Sequence, residues 1–115
     1  MNESTCRRIV KDRAGGCCER CSVHARVRGL TLHHRVKRSQ GGQWTPQNCV
    51  MLCGHGTSPG GCHSWVEHNP NDAEEEGFHV RPWMSPEKVP VLRFDIYTGE
   101  SGWVLLTDDG RIEDV

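Results

Sequence analysis

The side chains of this chain that could do chemistry gather between positions 18 and 68: Cys18, Cys21, His33, His34, Asn48, Cys53, Cys62, His63 and His68. Tetrahedral zinc sites are usually built from two close ligand pairs on tight turns, with thiolates about 2.3 Å from the metal. Cys18 and Cys21, with two residues between them, make a standard first pair. Cys53 and Cys62 enclose eight residues, Gly54 to Gly61, rich enough in glycine to bulge out while the ends converge. These four thiols are the expected structural zinc site. His55 competes as a ligand on the Cys53 side, and Cys17 is the alternative to Cys18. Cys6 and Cys49 read as inert thiols, Cys49 in an apolar strand position where burial is usual.

Two imidazoles sit between the thiol pairs. Consecutive residues of a strand point to opposite sides, so His33 and His34 cannot share one task without distortion. One facing a metal and one facing water is the natural division. A neutral imidazole, with an ordinary pKa near 6.5, can take a proton from water at neutral pH. A divalent cation held by His33 and His63 could polarise a phosphodiester and stabilise its leaving oxygen. Asn48 has both a donor and an acceptor, suited to bridging backbone groups and fixing the loop that carries His34. The helix after Cys62 carries two further candidate donors. The position four residues beyond His63, which shares its helix face, is Glu67, and His68 is one further on. The reading leans to His68 because helix ends flex. His24 and His79 read as surface or satisfied core residues.

The elements that position these groups follow from local pattern. Ser4 or Thr5 is expected to cap a short helix running to about Arg13, ended by Gly15-Gly16. Leu30 to Arg35 alternates apolar and polar residues and reads as a strand. Val50-Met51-Leu52 supplies a second strand into Cys53. Cys62 opens a helix with Trp65 and Val66 inward, and Pro70 starts a further acidic turn that stops at Gly77. Segments 78–80, 89–92 and 102–107 read as strands, with a hairpin turn at Asp108-Asp109-Gly110. The expected organisation is therefore one domain, a core over 1–77 that holds the structural zinc, closed by a β-appendix over 78–115.

Composition sets the bounds. In 115 residues only 35% are hydrophobic, while cysteine and histidine each number seven, so a metal is the expected staple of the fold. The start, MNESTCRRIVKDR, carries no apolar signal region. That predicts reduced thiols in a cytoplasm, where zinc explains the cysteines better than disulfides. The net charge is −1, but residues 1–40 carry ten Lys and Arg against three Asp and Glu, a net of +7. Residues 41–115 carry four against twelve, a net of −8. A basic half leading into the histidine pair fits a partner rich in phosphate, and Arg35, Lys37 and Arg38 are the expected DNA contacts.

The runs Leu32-His33-His34-Arg35, Thr45 to Cys53 and Cys62-His63-Ser64-Trp65-Val66 resemble the HNH endonuclease family, the ββα-metal nucleases. The Cys53–Cys62 loop and the tail Gly102 to Gly110 resemble a version common in bacteriophages of actinobacteria. The resemblance implies an α+β fold: a small, zinc-stabilised, treble-clef-like ββα unit with a short N-terminal helix and a C-terminal β-hairpin. It implies His34 as general base, His33 and His63 as ligands of the catalytic metal, and Asn48 as the central N of the motif. DNA would be the substrate, cut to a 5′-phosphate and a 3′-hydroxyl, in the cytoplasm of a bacterial host, with phage packaging (terminase) proteins as candidate partners. The catalytic ion expected is Mg²⁺ or Mn²⁺, with Ni²⁺ or Zn²⁺ also acceptable to imidazoles. The competing class is a zinc module that binds DNA or protein without turnover.

Overall fold

The computed structural model describes residues 1–115. Helix α1 (Glu3–Ala14) begins at Asn2, whose side chain accepts the Thr5 N–H at 2.8 Å. Asn2 is thus the cap, and Ser4 and Thr5, the expected candidates, lie inside the first turn. The helix stops at Gly15, whose φ of 62° is left-handed and whose N–H donates back to the Lys11 carbonyl. Its buried stripe, Cys6, Val10 and Ala14, is spaced by four.

Strand β1 (Leu30–His34) pairs antiparallel with β2 (Cys49–Cys53), with His33 opposite Val50 and His34 opposite Cys49. Period-two alternation gives this ribbon two different faces. Leu30, Leu32 and Met51 turn toward α1 and join Cys6, Val10, Ala14, Cys49 and Trp44 in one apolar cluster. The opposite face brings Val50 and Leu52 onto Val66 of α2 (Cys62–His68) and Ala73 of α3 (Pro70–Glu75).

Asn48 closes the loop between β1 and β2. Its Oδ1 accepts the Val36 N–H at 2.7 Å, and its Nδ2 donates to the carbonyls of Val36 and Gln43 at 3.1 and 3.2 Å. The chain passes so close here that a Cβ on Gly42 would lie 1.8 Å from the Val36 carbonyl oxygen. Only glycine fits that crossing.

The last third forms an antiparallel sheet of β3 (Val91–Asp95), β4 (Glu100–Leu106) and β5 (Ile112–Asp114), in that order. The strand expected at 78–80 is replaced by an irregular segment. Phe78 is fully buried there, and Val80 donates its N–H to the Arg35 carbonyl. Phe78, Val91, Val104 and Leu106 share a single core with Cys18, Val50, Leu52 and Val66. Residues 78–115 therefore complete the interior beneath the cysteine turn.

Two buried ionic groups tie these parts together. Glu19 accepts from Arg13 and from Arg93, both at 2.8 Å, and from the Met51 N–H at 2.8 Å. Burial opposes its ionisation, yet Arg13 and Arg93 hold the carboxyl below its ordinary range. Arg35 corrects an expectation. It is 0% exposed, donating to the carbonyls of Gly77, Gln47, Pro86 and Val89 at 2.6 to 3.1 Å. Burial lowers its pKa to about 10, which leaves it charged at neutral pH. A guanidinium spent on four carbonyls is a staple between β1 and the C-terminal third, and it cannot meet phosphate.

Candidate metal centres

Cys18 and Cys21 lie on the turn after α1, Cys53 ends β2, and Cys62 opens α2. Their sulfurs all fall within 4.8 Å of one another. Such a cluster can hold a structural metal such as zinc. The long loop converges as its glycines allow. Gly54 and Gly61 have φ of 82° and 89°, and a Cβ on Gly61 would lie 2.6 Å from the Cys53 carbonyl oxygen. His55 stays exposed, and Cys17 pairs through its backbone with His24, outside the quartet.

The surroundings of the sulfurs suit thiolate. Cys53 Sγ accepts the Cys62 N–H at 3.2 Å, and Cys62 Sγ accepts from Arg20 at 3.4 Å. Arg20 is itself fixed, stacked 3.8 Å over the Trp65 ring and paired with Glu76. A hydrogen bond from Cys62 pulls the Cys18 thiol down to about 5. The same shared proton pushes Cys62 up, and burial pushes Cys53 up. Crowded thiols without a cation can release protons only in part; a dication lets all four ionise.

A second cluster forms on the α2 side of the ribbon. His33 is 2% exposed, with Nε2 2.7 Å from the Phe78 carbonyl and Nδ1 3.3 Å from Glu67 Oε1. His63 lies one helical turn before Glu67, with Nε2 3.9 Å from Oε1 and its ring 5.2 Å from that of His33. His79, from the segment after α3, meets His33 edge-on with ring centroids 5.3 Å apart. Donor atoms of His33, Glu67 and His79 all lie within 4.8 Å of one another. The hydrogen bond from His33 draws the Glu67 carboxyl down to about 2, and burial lowers His63 to about 4. The carboxylate is thus ionised and His63 neutral at physiological pH, the forms in which both can be ligands.

His68 is not brought to this cluster. Its Nδ1 lies 2.8 Å from the Ser64 carbonyl, on the exposed side of α2. Four residues return a helix to the same face and five overshoot it, so Glu67 takes the place expected of His68. His79 had no local signal in sequence. Its position depends on the α3 turn and on Phe78 entering the core.

His34 faces the other way, as alternation requires. Its ring meets Trp44 edge-on at 4.4 Å, and its Nε2 is buried without a hydrogen-bond partner. Burial, with Arg38 nearby, lowers its pKa to about 4, so the imidazole is neutral at pH 7. Lys37 and Arg38 are exposed beyond it. The Arg38 and Arg7 guanidiniums lie 5.0 and 5.1 Å from the Trp44 ring centroid. On the His79 side, Lys37, Gln40, Arg81 and Trp83 border an open cavity of about 250 Å³.

A family model described as HNH endonuclease matches residues 18–55. The matched stretch holds Cys18, Cys21, His33, His34, Asn48 and Cys53, while His63, Glu67 and His79 lie beyond it. No curated protein and no solved structure matches the chain. The match points to a nuclease-type function with DNA as the substrate class. No helix is long and apolar enough to cross a membrane.

Proposed function

We propose that this protein is a metal-dependent HNH endonuclease that hydrolyses DNA phosphodiester bonds. The observation that carries the reading is the convergence of Glu67 and His63 of α2 on His33, inside a chain whose residues 18–55 match that family. His33, His63 and Glu67 would hold the catalytic ion, which when bound would neutralise charge on the scissile phosphate and the leaving 3′ oxygen. Mg²⁺ or Mn²⁺ is the working ion in this reading, and Cys18, Cys21, Cys53 and Cys62 hold a zinc that supports the fold.

His34 is the proposed base. Kept neutral by burial, it has a lone pair available for the proton of an attacking water. Asn48 positions it by locking Val36, two residues further along the chain, through both its backbone N–H and its carbonyl. Lys37 and Arg38 supply exposed positive charge for the flanking phosphates, while Arg7, beside Trp44, is half-buried and paired with Glu3 at 2.8 Å. The likeness of the Cys53–Cys62 loop and the tail to phage HNH proteins would place the enzyme in an infected bacterial cytoplasm, near genome packaging.

The test is plasmid cleavage across a series of divalent metals, run beside His34→Ala. Cleavage by the variant should fall about 10²–10⁴-fold, the usual share of a positioned general base. Zinc content and DNA affinity should hold. If wild type and variant cleave equally poorly with every metal while both bind DNA, a non-catalytic zinc module takes the place of the nuclease.

A further inference from the structure

We infer that His79 is a protein ligand of the second cation, so that three imidazoles and one carboxylate converge on it. The inference deepens the proposed nuclease site and rests on it for the identity of the other ligands. Its ground is how each ring is held. His33 Nε2 is 2.7 Å from the Phe78 carbonyl, so that nitrogen carries the proton and Nδ1 is left with a lone pair. His79 Nε2 is 2.8 Å from the Val66 carbonyl, which fixes the same tautomer and leaves its Nδ1 free. His63 Nδ1 meets Thr31 Oγ1 at 2.5 Å, and the Thr31 hydroxyl donates onward to the Gly54 carbonyl. That hydroxyl must therefore accept from His63, leaving Nε2 with the lone pair.

Three rings are thus locked from behind by fixed acceptors, as metal-bound histidines commonly are. His33 Nδ1 and His63 Nε2 lie 3.3 and 3.9 Å from Glu67 Oε1, and His79 brings a ring nitrogen within 4.8 Å of both His33 and Glu67. A single proton between His33 and Glu67 satisfies one such pair and leaves the lone pairs of His63 and His79 without a partner. A cation between His33, Glu67 and His79, whose donors lie within 4.8 Å of one another, satisfies those three, and His63 Nε2, 3.9 Å from Glu67 Oε1, closes toward it to complete the set. The segment Gly77–His79 serves the site twice: the Phe78 carbonyl orients His33, and the next residue contributes a donor of its own.

This donor set bears on which ion is held. Mg²⁺ binds through one or two carboxylates and keeps several waters, whereas imidazoles suit Fe²⁺, Ni²⁺ and Zn²⁺, and the Glu67 carboxylate keeps Mn²⁺ acceptable. The cavity bordered by Lys37, Gln40, Arg81 and Trp83 includes His79 in its lining, so this side of the cluster is open to solvent.

The experiment is Mn²⁺ titration of the zinc-loaded full chain, read by calorimetry and by the Mn²⁺ spin-resonance signal. Wild type is compared with His79→Ala, His79→Gln and Glu67→Ala. The Gln variant keeps an N–H for the Val66 carbonyl while removing the ring nitrogen, so it guards against a folding defect. Losing an orienting partner alone costs about 10–100-fold in metal affinity, and losing a ligand should cost at least that. Both His79 variants should therefore weaken Mn²⁺ at least about tenfold with zinc content unchanged. Co²⁺ added at this site should change its ligand-field absorption in the His79 variants without the thiolate charge-transfer band of the cysteine site. Wild-type affinity in both His79 variants, with a loss in Glu67→Ala, overturns the inference and leaves the site standing. Wild-type affinity in all three overturns the site itself.

Discussion

Cys62 and His63 are neighbours in sequence and open the same helix, yet they serve different chemical environments. Cys62 turns into a quartet of sulfurs braced by Arg20 and by a backbone N–H, with no ring nitrogen or carboxylate among the four. His63 turns toward imidazoles and a carboxylate beside an open cavity. The first environment is soft, closed and joined to the main core through Cys18, Cys53 and Cys62. The second is harder and has room for waters and substrate. One helix start thus links a site that can hold the fold together to one that could react. A cation lost from the first should be felt throughout the molecule, and one lost from the second only locally.

The largest expected effect follows. Structural zinc of this kind contributes on the order of 10 kcal/mol of apparent binding free energy. In so thinly apolar a chain, a strong chelator or Cys21→Ser should unfold the protein, seen as loss of near-ultraviolet dichroism. Wild-type dichroism with no zinc by elemental analysis would erase the contrast between the two environments.

Next comes Arg35→Ala. The variant leaves four carbonyls short of a donor, in the region joining β1 to the C-terminal third. Unsatisfied buried acceptors cost about 1–3 kcal/mol each, partly relieved by water, so a loss of about 2–4 kcal/mol is expected from urea unfolding. DNA affinity measured well below the new midpoint should not change. A weakened affinity with unaltered stability would return Arg35 to the surface role its sequence position suggested.

Arg35 also shows what could be read from sequence and what could not. The cysteine quartet was legible because ligand spacing and glycine content are local. The separation of His33 from His34 was legible because strand alternation is local too. That alternation, carried one residue further, puts Arg35 on the side of His33 and hence inside, but adjacency to His34 in a basic run favoured the surface. Glu67 is visible through the four-residue helix period, but the flexing expected of a helix end favoured His68. His79 was not legible at all. It joins His33 only because Phe78 packs under Val66 and aims its carbonyl back across 45 residues of sequence. Contacts of that separation are decided by the core, which no short pattern encodes.

Thr31→Val sharpens the second environment alone. Valine keeps the shape and strand preference of threonine but removes the hydroxyl that fixes His63. An outer partner of this kind is worth about 10–100-fold in metal affinity. Mn²⁺ binding should fall by that factor with zinc content and thermal midpoint nearly unchanged. A fall in the thermal midpoint with no change in Mn²⁺ binding would make Thr31 a packing residue only.

The exposed cations should matter less per residue and differently. If Lys37 and Arg38 each meet a phosphate, the double alanine variant should lower the salt slope of DNA binding by roughly two units, one per contact. All sequences should be affected alike. An unchanged slope would move the DNA path toward Arg7 and the α1 side of Trp44.

The smallest effect is expected of His68→Ala, and it tests where the second environment ends. His68 lies on the exposed side of α2 with its Nδ1 turned to Ser64, while Glu67 one residue earlier faces His33. Removing the imidazole should change stability by no more than about 0.5 kcal/mol, as for most surface substitutions. Mn²⁺ affinity and cleavage should equal wild type, whereas Glu67→Ala should weaken Mn²⁺ clearly. The pair of variants separates a helix that keeps its period to the end from one whose last turn unwinds to bring His68 inward. Weakened Mn²⁺ binding in His68→Ala, with Glu67→Ala unaffected, would mean that the last turn rearranges when metal binds, and the ligand set drawn from the present geometry would have to be rebuilt around His68.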